Sequence, residues 1–361
     1  MNLKNKFCWR PFGWFEISPN GNASCCCPSW VKFPIGNFND KPMEELWNGE
    51  LIQKIRRSIL DGTFEYCNKD ICADIQVGLP DKTDFDINHY KVIMPELPIY
   101  FSFSFDSSCT LTCPSCRQHV QFHKRGSAEF EVVSRLKEKI QKELLTVPSD
   151  RQFSLNMLGS GDVFSSISGK EMIDFLDASV FPNMKVNFQT NGRFLDKSMW
   201  DRMHKIHGNI ESIKISLDAS CEKTYNITRR GSNWDKVLDN IHMLSDLRKE
   251  NKFNTFFLEF VVQKANYKEM LDFVRLAKKY YVDNVLFSLI LDWNVQPKEV
   301  YKDMCVWDES HPEYNEFVEI LKDPILDDDI VFLGNVSRIR NKILLDKNVK
   351  STKLGRRNIN E

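Results

Sequence analysis

From Ile99 to Ile290 the chain alternates short runs rich in Phe, Val, Ile and Leu with longer stretches whose apolar residues recur at helical spacing. Neighbouring parallel strands need a crossover connection, usually a helix, so this alternation predicts a parallel α/β architecture. Six runs read as strands: 99–105, 153–158, 185–189, 212–217, 256–262 and 285–290. The stretches between them carry stripes such as Val133, Leu136, Ile140 and Leu144, or Met199, Trp200, Met203 and Ile206. Two of the helices open on the pattern of a capping box, Ser168-x-x-Glu171 and Asn266-x-x-Glu269. Six βα units stop short of a closed eight-fold barrel. The expected fold is a partial (β/α)6 barrel, with its site at the C-terminal ends of the strands.

Side chains alternate across a strand, so each run also reports on both of its faces. Ile99, Phe101, Phe103 and Phe105 share one face of the first strand, and Ser102, Ser104 and Asp106 the other. The same holds for Ser154 and Asn156, for Asn187, Gln189 and Asn191, and for Lys214, Ser216 and Asp218. The helices must cover the apolar face, which turns the polar one inward. A closed barrel packs its interior with branched apolar side chains. This one is expected to hold a polar, ligand-sized lumen. An antiparallel sheet with one wet face would show the same alternation without the regular intervening helices.

The first strand runs into Cys109-Thr110-Leu111-Thr112-Cys113-Pro114-Ser115-Cys116, a C-x3-C-x2-C loop. Three thiolates on one tight loop can hold three irons of a four-iron cluster and leave the fourth without a protein ligand. Such an open position suits chemistry, as it does on catalytic zinc. A zinc knuckle completed by His119 or His123 is the alternative. The loop resembles the signature of the radical S-adenosylmethionine (SAM) superfamily, apart from Ser115, where that family usually has an aromatic residue. The resemblance implies a [4Fe-4S] cluster on Cys109, Cys113 and Cys116, with SAM chelating the open iron. It further implies cofactor contacts from Gly159, Gly161 and Asp162 in Gly159-Ser160-Gly161-Asp162, where Val163 replaces the usual proline. Ser216, Asp218 and Arg230 match the fourth-strand region that holds the SAM ribose and carboxylate, Arg230 being preferred to Arg229. An arginine fork suits a carboxylate. Thr190-Asn191-Gly192 also resembles a family element but reads as a plain turn. Val262-Gln263 with Asn266 is placed near adenine or substrate. No catalytic acid or base is singled out.

Residues 1–80 carry a second cysteine framework. Cys8 precedes a strand, Trp14 to Ile17, and Ser18-Pro19-Asn20-Gly21 reads as a hairpin turn because Asn-Gly supplies positive φ. Cys25-Cys26-Cys27 follows. Then come Ile35-Gly36-Asn37, a helix at 43–47, and a second at 51–60 with Ile52, Ile55 and Ile59 on one face, stopped by Asp61-Gly62. Cys67 and Cys72 close the segment. The spacing C-x12-G-x4-C from Cys8 through Gly21 to Cys26 resembles the SPASM/twitch module of radical SAM enzymes, as do Glu45-Leu46-Trp47-Asn48, Arg56 and the closing pair. The resemblance implies an auxiliary [4Fe-4S] cluster on Cys8, Cys26, Cys67 and Cys72, with Cys25 or Cys27 able to replace Cys26. Here the module precedes the barrel instead of following it, and its closing pair is C-x4-C instead of C-x2-C. Four thiolates around a structural zinc remain the alternative.

The expected layout is a SPASM/twitch-like α+β domain at 1–80, a linker at 81–98, and a TIM-like radical SAM partial barrel at 99–292. A connector with capping helices at 293–346 and a basic flexible tail at 347–361 complete it. The formal charge of −1 gives no reason to expect nucleic acid or an anionic membrane as partner. No apolar run approaches a membrane span, and the first residues lack the apolar core of a signal peptide. Eleven cysteines without an export signal point to a reducing cytoplasm. The resemblance implies one-electron cleavage of SAM, fed by a flavodoxin or ferredoxin, to methionine and a 5′-deoxyadenosyl radical that takes hydrogen from a substrate. The polar lumen favours a carbohydrate or aminocyclitol, oxidised or epimerised. A peptide or protein side chain, as in ribosomal-peptide maturation, is the alternative. A non-catalytic iron–sulfur or zinc protein is the reading from another class.

Overall fold

The computed structural model describes residues 2–345 except 32 and 158. The tail at 347–361, the last residue of the connector and Leu158 at the end of the second expected strand therefore lie outside the described residues. In chain order the elements are α1 (Arg10–Gly13), β1 (Trp14–Ile17), β2 (Asn22–Ser24), β3 (Gly36–Asn37), α2 (Met43–Trp47), α3 (Glu50–Leu60) and α4 (Ala73–Val77). Then follow β4 (Tyr100–Phe103), α5 (Ala128–Leu144), β5 (Phe153–Met157), α6 (Ile167–Phe175), β6 (Met184–Thr190), α7 (Lys197–Arg202), β7 (Ile210–Ser216), α8 (Glu222–Thr228) and α9 (Trp234–Lys249). The chain continues through β8 (Thr255–Val262), α10 (Met270–Lys279), β9 (Asn284–Leu289), α11 (Lys298–Met304), α12 (Tyr314–Ile320) and β10 (Val331–Phe332). All six expected strands form within a few residues of their expected ends.

The chain divides into two compact units. The first comprises Met1–Thr110, Val120–Ile215 and Lys236–Phe256. Its sheet runs in the order β3-β2-β1-β4-β5-β6-β7. The four strands β4 to β7 are parallel, as the crossover helices require. The N-terminal segment adds to the same sheet, because β1 lies parallel to β4, with Trp14 opposite Tyr100 and Ile17 opposite Phe103. Gly21, at φ +81°, makes the turn into β2, and Gly62, at φ +77°, ends α3, as their dipeptides predict. Rings fill the helix side of the sheet: Phe101 meets Phe153 at 5.8 Å, and Phe15 meets Trp47 at 6.4 Å. Segment 81–98 is more than a linker. Phe85, Ile87, Tyr90 and Met94 pack against the core of Phe7, Phe12 and Phe64, and Arg56 donates 2.9 Å to the Val92 carbonyl.

The second unit comprises Leu111–His119, Ser216–Asp235 and Phe257–Glu361. Here β8 pairs in parallel with β9 from Phe257–Asn284 to Val262–Leu289, and a short β10 continues the sheet beyond β9. Phe260, Phe273 and Phe287 form a ring cluster under α10. Tyr267 packs on Phe317 of α12, its hydroxyl lying 2.7 Å from Glu313 and 2.8 Å from Glu316.

The two expected capping boxes do not form. The N-cap of α6 is Ser166, whose hydroxyl accepts from Gly169 N at 2.8 Å, and Ser168 lies inside the helix, fully buried. Ser166 already sits where its oxygen reaches the third helical N–H, which is what a cap needs. Before α10 a 3-10 turn intervenes at Tyr267–Glu269. The Asn266 amide donates instead to Asp218 O and Val261 O, and Glu269 accepts from Ser220 N at 2.6 Å.

Candidate functional site

In the first unit the expected SAM-loop glycines owe their identity to close backbone packing. A Cβ on Gly159, at φ +126°, would lie 2.0 Å from Ser104 Oγ, and one on Gly161 would lie 2.4 Å from Ser108 O. Only glycine fits both positions. The loop is thereby pressed against the segment that leads into Cys109. Asp162, expected to touch the cofactor, is buried, and its carboxylate is committed to protein partners. It accepts from Thr190 Oγ1 at 2.6 Å, Asn191 N at 2.8 Å, and Phe164 N and Ser165 N at 3.1 Å. It thus brackets the ends of β5 and β6. Held this way, Asn191 turns its amide to Cys109 Sγ at 3.8 Å. Thr190-Asn191-Gly192 is therefore more than the plain turn expected of it.

Cys109 is buried, and its N–H donates to Gln121 O at 2.7 Å. His123 is engaged by Asp106 at 3.0 Å and by the Ser108 hydroxyl through its own N–H at 3.1 Å. It behaves as an anchored loop histidine.

In the second unit Cys113 is buried and Cys116 exposed, with Cys116 N and Arg117 N both donating to Cys113 O. Pro114 O accepts from Gln296 Nε2 at 3.0 Å. Of the two neighbouring arginines, Arg229 is the one that faces the thiol. Its Nη1 donates to Cys113 Sγ at 3.9 Å and its Nη2 lies 2.8 Å from Asp218. Arg230 is exposed, and only its carbonyl reaches the loop, accepting from Thr112 N at 3.0 Å. Burial opposes the Arg229 charge, but Asp218 and the Cys113 thiol outweigh it and hold the guanidinium protonated. Asp218 is fully buried at φ +58°. Burial pushes its carboxyl up, and Arg229 pulls it back. Arg229 Nε is buried without a hydrogen-bond partner among the described residues, a donor left for an acceptor the protein does not supply. Ser216 donates to Glu259 at 2.9 Å. Gln263 and Asn266 are buried. An anionic thiolate loop and a ligand carboxylate both suit this donor set.

The N-terminal cysteines lie wholly in the first unit. Cys72 belongs to the core of Phe7, Phe12 and Phe64, with Cys8 and Cys67 packed against it. Cys8 lies in the field of Cys67, and Cys26 in that of Cys8. Burial pushes the Cys8 thiol up to about 12 and Cys26 well above its usual value, while Arg10 acts against both shifts. Cys25 is buried on the Arg56 side, where burial pushes it up to about 12, and Cys27 lies toward Glu16. The donors are thiols with one cation beside them, which fits an iron–sulfur cluster. Among the described residues no three His, Cys, Asp or Glu side chains are placed to share a single metal ion.

The inward face of the first unit is polar and buried, as the alternation predicts. Ser102 is fully buried, its hydroxyl acting on the Glu16 carboxyl, and Ser104 and Asn156 are buried beside it. Opposite Ser102 stands Glu16 of β1. It is 9% exposed and accepts from Trp14 Nε1 at 3.3 Å and Ser104 Oγ at 3.4 Å. Burial pushes its carboxyl up to about 7 against these donors. The alternation in Trp14-Phe15-Glu16-Ile17 marks this position, but only pairing with β4 shows that it faces inward.

A parallel α/β core that carries a three-cysteine loop, preceded by a thiol-rich module, defines a class of iron–sulfur protein. A family model described as the radical SAM superfamily matches residues 104–277, and one described as an iron–sulfur cluster-binding domain, SPASM, matches 8–73. The chain belongs to the radical SAM superfamily and carries its SPASM domain at the N-terminal side of the partial barrel. Its cofactors are a [4Fe-4S] cluster, SAM and an auxiliary iron–sulfur cluster.

Solved structures with likeness include SuiB of Streptococcus suis bound to the precursor peptide SuiA, at 13% identity, covering 80% of this chain and 63% of that one, TM-score 0.44. Another is anSMEcpe with bound AdoMet, at 17% identity, covering 63% and 57%, TM-score 0.44. A third is TYW1 with a lysine–pyruvate adduct, at 17% identity, covering 64% and 71%, TM-score 0.38. In its SAM-bound form SuiB is matched over 48% of its length. No curated protein matches the chain. No described helix is long and apolar enough to cross a membrane.

Proposed function

We propose that this enzyme oxidises or epimerises a small polar substrate of the carbohydrate or aminocyclitol type. The observation that carries the reading is the buried inward face of Ser102, Ser104, Asn156 and Glu16, which offers hydroxyls, an amide and a carboxyl. A polyhydroxylated ring can share hydrogen bonds with such groups, whereas an apolar side chain seated on them offers none. Cys109, Cys113 and Cys116 hold the open cluster, and Cys8, Cys26, Cys67 and Cys72 the auxiliary one. When bound, the open cluster and SAM supply a 5′-deoxyadenosyl radical that abstracts a substrate hydrogen. The 159–162 loop shapes the SAM side, with Asp162 holding Asn191 toward Cys109. Arg229, more than Arg230, presents a fork to the SAM carboxylate. Glu16 holds or takes a substrate proton. A flavodoxin or ferredoxin delivers the electron. A chain with eleven cysteines, seven of them assigned to clusters, suits a reducing cytoplasm.

Anaerobic reconstitution, iron counting and a deoxyadenosine assay on wild type and Cys113→Ala test the cofactor assignment. The expected result is about eight irons per chain, with SAM cleaved by wild type only. About four irons with cleavage intact would make the N-terminal thiolates a zinc site or leave them vacant, and a tightly held zinc with no iron would overturn the cofactor assignment. Sugars and aminocyclitols are then compared with leader-bearing peptides. Stimulation of deoxyadenosine formation by the peptides alone would replace the small-molecule reading with side-chain modification.

A further inference from the structure

Arg10 is a half-buried cation beside the assigned auxiliary ligands, of which Cys8, Cys67 and Cys72 share one core. It sits on the short α1, two residues after Cys8, and its side chain is 21% exposed. Three indoles surround the guanidinium: its central carbon lies 5.7 Å from the Trp9 ring, 5.3 Å from Trp14 and 5.2 Å from Trp30. Its Nε donates to Asp74 Oδ2 of α4 at 2.6 Å. The ring cage and the carboxylate leave the fork little freedom. Asp74 in turn lies two residues after Cys72, so this bond ties the backbone next to Cys8 to that next to Cys72. Charges of both signs are thus held, partly desolvated, beside the same thiols. The other ionisable groups facing Arg10 are Glu16 and these cysteines.

We propose that the Arg10–Asp74 pair sets the reduction potential of the auxiliary cluster. The proposal rests on the ligand assignment above. One-electron reduction by an external low-potential donor adds one negative charge to the cluster and its thiolates. A fixed cation beside them favours that product and a fixed anion opposes it, each more strongly where water is excluded. The indole cage keeps water off one member of the pair and holds its position. A salt bridge kept only for folding would respond to loss of either partner in the same direction, by destabilisation. A pair that tunes the potential responds with opposite signs.

The experiment uses the full chain with Cys109, Cys113 and Cys116 all replaced by Ala, so that the auxiliary cluster alone is seen. Arg10→Gln, Asp74→Asn and the double variant are made in that background, reconstituted, and titrated with dithionite under electron paramagnetic resonance. Each is expected to hold about four irons. Arg10→Gln is expected to lower the midpoint potential and Asp74→Asn to raise it, with the double variant returning toward the parent. Shifts of the same sign, or none, in variants that keep their iron would overturn the assignment. If Arg10→Gln loses its cluster, Asp74→Asn decides by the sign of its shift. A parent without iron would overturn the ligand assignment and the tuning role together, a failure distinguishable from an iron-replete parent whose potential ignores both residues.

Discussion

Glu16 shows how one side chain responds to where a strand is placed. In an unfolded chain its carboxyl titrates in the ordinary range, and in the folded one near 7. The folded state therefore binds this proton more tightly, and the stability linked to it is present at acid pH and lost as pH rises through 7. The charged form costs about 3 kcal/mol by this linkage. Glu16→Gln should accordingly gain stability relative to wild type by most of that amount between pH 5 and pH 8, measured by urea unfolding of the metal-free protein under reductant. A pH-independent difference would mean that the carboxyl is not desolvated. In the second unit, Arg229 and Arg230 are neighbours with opposite surroundings. Arg229→Gln leaves Asp218 buried and uncompensated, which costs about 3–5 kcal/mol, and should abolish SAM cleavage. Arg230→Gln should leave cleavage within about two-fold of wild type and stability within about 0.5 kcal/mol. The sequence preferred Arg230, because nothing in Arg229-Arg230-Gly231 tells which side chain turns inward. That choice is made by the backbone turn after α8.

At the scale of elements, periodicity carried far. All six barrel strands, the α3 stripe of Ile52, Ile55 and Ile59, and the α5 stripe of Val133, Leu136, Ile140 and Leu144 form, and these residues are buried as their spacing requires. The misses occur where several local patterns compete. Ser165, Ser166 and Ser168 all lie around the start of the same helix, and a capping-box pattern selects Ser168 because Glu171 follows at the right distance. That glutamate is instead drawn to Arg125 at 2.5 Å and to Lys137, so no side chain is left to return to the cap. Ser166→Ala should therefore cost about 1 kcal/mol, while Ser168→Ala, which removes a buried hydroxyl without a partner among the described residues, should be neutral or slightly stabilising. Equal losses in chemical denaturation would return the cap to Ser168. Segment 81–98 misleads for a related reason. Its prolines and charges look like a linker, yet Phe85, Ile87, Tyr90 and Met94 are spaced among them and meet a core that only the fold assembles.

At the scale of the molecule, the unusual order of the chain, with its SPASM domain first, has a structural counterpart in the first unit. A module placed before the barrel could be joined to it by a tether alone. Here β1 instead pairs with β4 over four residues, and further bonds cross between the N-terminal segment and the βα repeats. Met43 N donates to Glu143 of α5 at 2.7 Å, and Lys139 of α5 reaches the carbonyls of Phe38 and Lys41. Phe15 and Ile17, fully buried, belong to the sheet that β4 continues. Cutting the chain at the expected boundary would bare the hydrogen-bonding edge of β4 and the apolar surface beneath α2 and α3, the combination that drives edge-to-edge association. A chain starting at residue 99 should therefore be insoluble or associate on size-exclusion chromatography, even though it retains all six barrel strands and the three-cysteine loop. The comparison that decides is with a full-length chain in which Cys8, Cys26, Cys67 and Cys72 are all Ser. That variant keeps β1 on β4 and should stay monodisperse and take up about four irons. If the truncated chain is equally monodisperse and also holds four, β1 is an accessory of the auxiliary site and not a strand the barrel depends on.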